Sequence, residues 1–513
     1  MNIKIVALSA FSVSFELDEL IPNEVHPFYS KNKFDVYLND KLVLKNVKEN
    51  VVSIYDLTPD TEYHLTIKQN SDLISTSFKT DVASVIKKIS YSYKKDYTDD
   101  IQEALDTVGI NGCVIVEEGI YDIRPLFLRD GVTLYLKKGA HLLASTNRWD
   151  YPIFDELLDD LPLGTWEGRL SKMFASVITG IRIKNAKVIG EGIIDGNAQN
   201  SDWWINHKVL RGGARPRDVY LNYCDNILLQ GVTVQNTACW TLHPYYSDNV
   251  KFINLKVYNP KTSPNTDGCD PESVRNLDIL GCIFSVGDDC IAIKSGKIEM
   301  MDKYYRTSEN ITIRNCLMRD GHGAIVLGSE ISSGLKGLNV EKCLFINTDR
   351  GLRIKTRRGR GDLCVIDNVL FKDIIMHEVL NPFVINMYYF CDADGKSEYV
   401  QCKTALPVDK NTPYLGKFKF QNIKCIDTTV SAGFFYGLPE QPIEQIEFEN
   451  VLVDMKESDI YFHPAMMCDI DMVNRIGSVF NNVNKVILNN LNIYNQKGEM
   501  FVFNNVNEIK KIN

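Results

Sequence analysis

Residues 226–234 read Asn226-Ile227-Leu228-Leu229-Gln230-Gly231-Val232-Thr233-Val234. Apolar side chains alternate, a polar residue or glycine interrupts, and the alternation resumes. The pattern returns as NVKFINLKV from Asn249, NLDILGCIF from Asn276, NITIRNCLM from Asn310 and GLNVEKCLF from Gly337. Later copies are NVLFKDIIM from Asn368, KFKFQNIKC from Lys417, QIEFENVLV from Gln445 and KVILNNLNI from Lys485. Alternation at period two marks strands with one buried face. A strand pair recurring every roughly 22 to 35 residues marks a solenoid of stacked rungs, the interrupting residue being a corner between two sheets. A β-sandwich would need hairpin turns between the copies, and few Asn-Gly or Asp-Gly pairs stand there. The expected fold is all-β, a right-handed parallel β-helix.

Each rung carries a further strand. Residues 291–295 (IAIKS), 325–329 (IVLGS) and 352–356 (LRIKT) align, with their branched residues pointing into the core. Positions 292, 326 and 353 then form one outward column, and 294, 328 and 355 another. The segment 240–243 belongs one rung earlier, so His243, Lys294 and Lys355 share a face. Ser273 matches Ser295, which brings Asp267 under Asp289; Ser329 matches Ser295, which brings His322 beside Asp288. Rungs are spaced about 4.8 Å. Asp267 and Asp289 are therefore expected to face each other, with Asp288 turned toward His322.

Converging carboxylates flanked by fixed cations suggest acid/base chemistry on an anionic substrate. An inverting glycosidase needs one carboxylic acid to protonate the leaving oxygen and another carboxylate to activate water, roughly 6.5 to 9.5 Å away. Asp288 suits the acid, since a nearby anion and burial raise its pKa. Asp267 and Asp289 together can hold the water, and His322 can hydrogen-bond Asp288. Arg353 and Lys355 suit a sugar carboxylate. A calcium site or a ladder of solvated polar residues is the structural alternative; two cations and a histidine among the acids argue against calcium.

The order Asn265-Thr266-Asp267, Gly287-Asp288-Asp289-Cys290, Gly321-His322-Gly323, Arg353-Ile354-Lys355 resembles the polygalacturonase family, glycoside hydrolase family twenty-eight, over roughly residues 90 to 500. Asp195-Gly196, Trp203-Trp204 and residues 240–244 add to the likeness. The resemblance implies that Asp288 is the general acid, that Asp267 and Asp289 position the water, and that His322 belongs to the catalytic set. It also implies that Arg353 and Lys355 bind the galacturonate carboxylate. Asn265, Lys294 and His243 are further candidates for substrate contact. The family's rhamnogalacturonan hydrolases depart from the histidine and Arg-Ile-Lys pattern, which this chain keeps, so a galacturonan substrate is expected. Lys294 and Arg357-Arg358-Gly359-Arg360 add positive charge that either binds further uronates or forms a solvated basic loop. No CxxC pair suggests zinc, and no cofactor and no metal are expected.

Residues 1–85 read as a separate small β-domain, with strands expected at 12–17, 34–38, 51–55, 63–67 and 74–78. Leu57-Thr58-Pro59-Asp60-Thr61-Glu62-Tyr63 resembles the corner-tyrosine signature of fibronectin type III sandwiches. This unit is expected to be a spacer or a wall near the cleft. A linker follows near 81–97, and then the catalytic β-helix, giving domains 1–85 and 86–513. Thr98 is expected to N-cap a short helix through Ile101, Ala104 and Leu105 that plugs the open end of the solenoid. Residues 146–180, with Trp149, Tyr151 and Trp166, break the repeat and read as a long loop beside the cleft.

A length of 513 residues allows two domains with an ample core, and the net charge of −9 argues against nucleic acid and requires a locally basic cleft for an acidic polymer. No apolar run is long enough to span a bilayer. Lys4 and the run 5–15 imitate a signal peptide. The run alternates, however, and ends in Glu16-Leu17-Asp18-Glu19 without a small-residue cleavage site. The 13 cysteines are scattered, several at apolar rung positions (Cys282, Cys316, Cys343), which suits free thiols. A cytoplasmic enzyme is expected, with secretion as the alternative. Such an enzyme meets oligomers and gains most by trimming ends, so exo-action releasing galacturonate with inversion is expected. Endo-action, or cleavage of rhamnogalacturonan or unsaturated oligomers, is the nearer alternative. A pectate lyase and a non-catalytic uronate-binding protein are the more distant ones. Oligomeric state is not legible.

Overall fold

The computed structural model describes residues 1–18, 24 and 26–512. From residue 86 onward the chain winds into a parallel β-helix whose rungs present three sheets in turn. In the first sheet Asp248–Ile253 pairs in parallel with Arg275–Leu280, which pairs with Ser308–Arg314 and then Leu335–Glu341. In the second, Lys256–Tyr258, Ile283–Ser285, Leu317–Arg319 and Leu344–Ile346 stack in register. In the third, Leu242–Tyr245 leads through bridges at Cys269 and Glu272 to Ile291–Ile293, Ile325–Gly328 and Arg350–Lys355.

The nine-residue repeat forms the first strand, the corner and the second strand. Its first residue takes positive φ in copy after copy: Asn226 at 55°, Asn249 at 52°, Asn276 at 57°, Asn310 at 55° and Gly337 at 76°. The corner does the same at Gly231, Asn254, Gly281 and Asn315, with φ of 81°, 54°, 67° and 52°. Asparagine and glycine visit this region at least cost, which explains the composition of the interruptions. The asparagines also stack: Asn276 Nδ2 donates to Asn249 Oδ1 at 3.1 Å and Asn310 Nδ2 to Asn276 Oδ1 at 3.2 Å. Inside, alternate residues such as Val257, Phe284, Met318 and Phe345 lie one over another in one long core.

The helix Thr98–Thr107 buries Ile101, Ala104 and Leu105 against the first rung, as expected. Thr98 is not its cap. Tyr97 holds that position without a side-chain bond, and the Thr98 N–H and hydroxyl instead donate to Asp96 Oδ1 at 2.8 and 2.5 Å. The linker contains a strand, Ile86–Ile89, paired in parallel with Cys113–Val116, so it extends the solenoid.

Residues 1–85 form two antiparallel sheets. Asn2–Leu8, Val13–Asp18 and Val51–Ile54 make one; Lys41–Glu49, Tyr29–Leu38, Glu62–Gln69 and Asp72–Lys79 make the other. Phe15, Val52, Phe34, Val36, Leu65 and Ile67 share one core between them. The Tyr63 hydroxyl accepts from the Thr58 N–H at 2.9 Å.

This unit packs on the first sheet and its corner. Glu16 takes both Arg314 donors at 2.6 and 2.8 Å, and Gln230 bridges Ser12 and Ser14 at 2.6 Å each. The corner glycines make the approach possible, because a Cβ at Gly281 would stand 2.5 Å from Val51 Cβ. Among the described residues no hydrogen bond or ion pair joins the unit to the expected site residues. It buttresses the first sheet.

Residues 146–180 fold into hairpins against the outer face of the third sheet. Asn222 donates to the Pro162 carbonyl at 3.0 Å and Arg217 Nη2 to the Thr165 carbonyl at 3.0 Å. Those contacts bury side chains that the strand alternation alone would leave exposed.

Candidate active site

The turn from the second to the third sheet carries the acids. Backbone bonds run from rung to rung through it: Thr241 N–H to Asp267 C=O at 2.9 Å, Gly268 N–H to Asp289 C=O at 3.0 Å and Cys290 N–H to Gly323 C=O at 2.8 Å. The bridge between Cys269 and Ile291 and the pairing of Ile291 with Ile325 place Asp267 under Asp289, and Asp288 under His322. One oxygen from each of Asp267, Asp288 and Asp289 lies within 4.8 Å of the others. The acids therefore converge more tightly than the roughly 6.5 to 9.5 Å expected between two carboxyl groups that flank a water.

Asp289 is the ionised member. Burial works to raise its pKa, but Lys355 Nζ at 2.6 Å from Oδ2 and Arg353 Nη1 at 3.4 Å from Oδ1 outweigh it and hold the carboxyl at about 2. Burial and the Asp289 charge raise Asp288, and burial with Asp270 and Asp288 raises Asp267 far above the carboxylate range. Like charges this close cannot all ionise, and the two cations select which one does. Gly323 keeps the floor open, since a Cβ there would stand 3.3 Å from Asp289 Oδ1. Three oxygens at this spacing also suit a hard divalent cation, but Lys355 and Arg353 already occupy the strongest of the three ligands.

His322 differs from expectation in one respect. Its backbone N–H donates to the Asp288 carbonyl at 2.9 Å, but its ring Nδ1 pairs with Asp349 Oδ2 at 2.9 Å and not with Asp288. The Asp349 bond raises the imidazole pKa, burial opposes it, and Asp288 and Asp289 raise it further.

His243, Lys294 and Lys355 share a face as expected, His243 in the Arg353 column and Lys294 in the Lys355 column. Neither His243 nor Lys294 is placed to touch a sugar. His243 has no exposed surface; its ring nitrogens lie 3.2 Å from Arg217 Nε and 3.1 Å from Glu272 Oε2, and burial with Arg217 keeps it neutral. The Lys294 ammonium pairs with Glu330 at 3.0 Å and Asp270 at 3.5 Å, beneath the Trp240 ring. The hairpins 146–180 cover this part of the sheet, which an alternation pattern cannot reveal.

Arg357, Arg358 and Arg360 form neither a uronate subsite nor a solvated loop. Arg357 pairs with Asp392 and Asp394, Arg360 with Asp392, and Arg358 makes a two-pronged pair with Glu440 at 2.5 and 2.8 Å.

Asn265 Oδ1 accepts from Arg215 Nη2 at 2.7 Å, and that guanidinium lies over the Trp166 ring at 5.3 Å. Trp166 in turn stacks on Trp240, centroids 6.0 Å apart. On the opposite side, Met466 contacts Arg353, and its carbonyl accepts from Asn386 at 3.1 Å. Arg215, Asp349 and Met466 were not singled out in the sequence. The rung register would have found Asp349, one rung beyond His322; Arg215 and Met466 arrive on long loops with no periodic signal.

The site is thus a cluster of acids on one turn of a parallel β-helix with two cations beside them. The chain matches the family described as Glycosyl hydrolases family 28 over residues 164–457. It belongs to that family. It is 28% identical over 329 residues to a "Probable polygalacturonase" of Vitis vinifera, covering 63% of each chain. It is 26% identical over 420 residues to an "Exo-poly-alpha-D-galacturonosidase" of Dickeya chrysanthemi, covering 71% of this chain and 67% of that one. Against the first of these the chain spans 63% of the relative's length. In fold it is similar to the family 28 exopolygalacturonase of Yersinia enterocolitica, with a TM-score of 0.71, 18% identity, and 99% and 98% of the two chains covered.

Proposed function

We propose that the protein hydrolyses α-1,4 bonds between galacturonate units, releasing galacturonate from a chain end with inversion. The observation that carries the reading is the split among the acids: Asp289 clamped as an anion by Lys355 and Arg353, and Asp288 beside it with a raised pKa. Asp288 donates its proton to the glycosidic oxygen as the bond to the anomeric carbon breaks. Asp289, with Asp267 orienting the water, accepts a proton from the water that attacks the opposite face. Arg353 and Lys355 retain unused N–H donors for the carboxylate of the sugar. The short spacing of the acids does not by itself select inversion, so the anomer first formed is the decisive product. Proton NMR of fresh digests should show the β-anomer; an initial α-anomer would overturn inversion.

Exo-action is supported by the hairpin Thr165–Trp166 and Arg169–Leu170, whose tip hydrogen-bonds Lys297 through the Gly168 carbonyl at 2.9 Å. Trp240 lies one rung before Asp267, so the wall of Trp166, Trp240 and Arg215 leaves about one rung, about 4.8 Å, on that side of the acids. The names of the Dickeya and Yersinia relatives agree with this reading. The early products from polygalacturonate and trigalacturonate test it. Monomer alone supports exo-hydrolysis, an oligomer ladder means endo-action, and rising ultraviolet absorbance means a lyase.

We read residues 1–85 as a fibronectin type III-like sandwich and 86–513 as the catalytic unit. A cytoplasmic site is supported by 13 cysteines that are all free thiols, and cell fractionation tests it.

A further inference from the structure

The rung register reaches one residue beyond the motifs. Thr266, Asp288, His322 and Asp349 occupy the same turn position in successive rungs. The turn bearing His322 is clamped on both sides: the His322 N–H donates to the Asp288 carbonyl at 2.9 Å, and the Asp349 N–H donates to the Gly321 carbonyl at 3.1 Å. The imidazole side chain is 56% exposed, so packing alone does not orient it. Its Nδ1 lies 2.9 Å from Asp349 Oδ2, and among the described residues Nε2 has no hydrogen-bond partner.

We infer that Asp349 is a positioning residue of the reaction, holding His322 as an imidazolium whose charge faces the Asp288–Asp289 pair. When Asp288 gives its proton to the leaving oxygen, two carboxylates stand side by side. A fixed imidazolium next to them offsets the charge that develops, and a neutral ring does not. The charged groups acting on the ring are Asp288 and Asp289 from one turn and Asp349 from the next rung, and Arg350 and Arg353 act in turn on Asp349. Arg353 is tied to Asp289, and Arg350 reaches Asp349 only at 3.8 Å, so His322 at 2.9 Å is the nearer of the two cations that share Asp349. Burial alone would raise the Asp349 pKa, but the His322 bond, with Arg350 and Arg353, holds it below the ordinary range.

The role rests on the hydrolytic reading, and the test separates the two. The His322 ring is titrated by NMR in the full chain carrying labelled histidine, with His322→Gln assigning the signal, in wild type, Asp349→Asn and Asp349→Glu. The kcat/KM profile on trigalacturonate is recorded in parallel. Asp349→Asn should lower the His322 pKa by about one pH unit or more and move the alkaline limb of activity to lower pH by as much. Asp349→Glu should restore both. Asp349→Asn should add no further loss to His322→Gln. An unmoved titration, or a moved titration with an unmoved alkaline limb, would overturn the inference, as would a rise in KM alone, which would make Asp349 a substrate contact. A wild-type protein that cleaves no galacturonan but shows the His322 shift would sink the hydrolase reading and leave the pairing standing.

Discussion

Lys355→Met separates two roles that the sequence runs together. Read as a motif, Lys355 binds the substrate carboxylate, and its loss should raise KM alone. In the structure its ammonium lies 2.6 Å from Asp289 and is the foremost of the influences that hold that acid down. The shift from an ordinary 3.8 to about 2 corresponds to roughly 2 kcal/mol in favour of the anion, at about 1.4 kcal/mol per pH unit. With Lys355 gone, Arg353 at 3.4 Å and the weaker influence of the Lys294 charge are left to oppose burial. Asp289 then returns at least to the ordinary range, and burial lifts it further. A depressed carboxylate supports function above its pKa and loses it as pH falls through that value, so the acid limb must move up. At a pH of about 4, wild-type Asp289 stays ionised while the variant's is at most about three-fifths so, and about one-tenth so if burial lifts its pKa by about one further pH unit. The assay is kcat at saturating trigalacturonate between weakly acidic and neutral pH. A fall of about two- to tenfold between pH about 6 and about 4, absent in wild type, is expected. A variant with parallel pH profiles and only a higher KM would refute the clamp.

Asp288→Asn should lower kcat by at least about a hundredfold, with much of the loss absent on a substrate whose leaving group needs no proton. Arg358→Met leaves Glu440 buried and unpaired, so it should cost about 3–5 kcal/mol, seen as faster thermal inactivation, with KM unchanged. Chelators should leave the rate unchanged, because Lys355 and Arg353 hold the strongest ligand of the acid cluster; inactivation reversed by calcium would revive the lyase. Deleting the hairpin tip 165–170 should change the products of polygalacturonate from monomer to a mixture of oligomers, and unchanged monomer release would remove that hairpin from the account of exo-action.

Much of the site was legible because a solenoid makes sequence spacing into spatial spacing. The repeat from Asn226 sets the period, and aligning Ser273, Ser295 and Ser329 brings Asp267, Asp289, Asp288 and His322 together as observed. The same alignment carried one step further reaches Asp349. His243 and Lys294 misled for a related reason: period two tells which side of a sheet a residue faces, not whether something covers that side. Here the hairpins 146–180 do, and the two expected sugar contacts become a buried neutral histidine beside Glu272 and a buried ion pair of Lys294 with Glu330.

The residue pattern alone sets the winding of the chain. Alternating apolar residues demand strands, asparagine and glycine supply the left-handed corners, and stacking at fixed register follows from short repeats with no freedom to slip. It thereby also determined which acids meet. Which of them is charged, what Asp349 holds and which surfaces stay open follow from the packing in three dimensions. Those outcomes depend on angstrom-scale distances between groups from loops far apart in the chain, and on the burial they create. Charge in a protein is set by its surroundings in space, which local residue pattern does not encode.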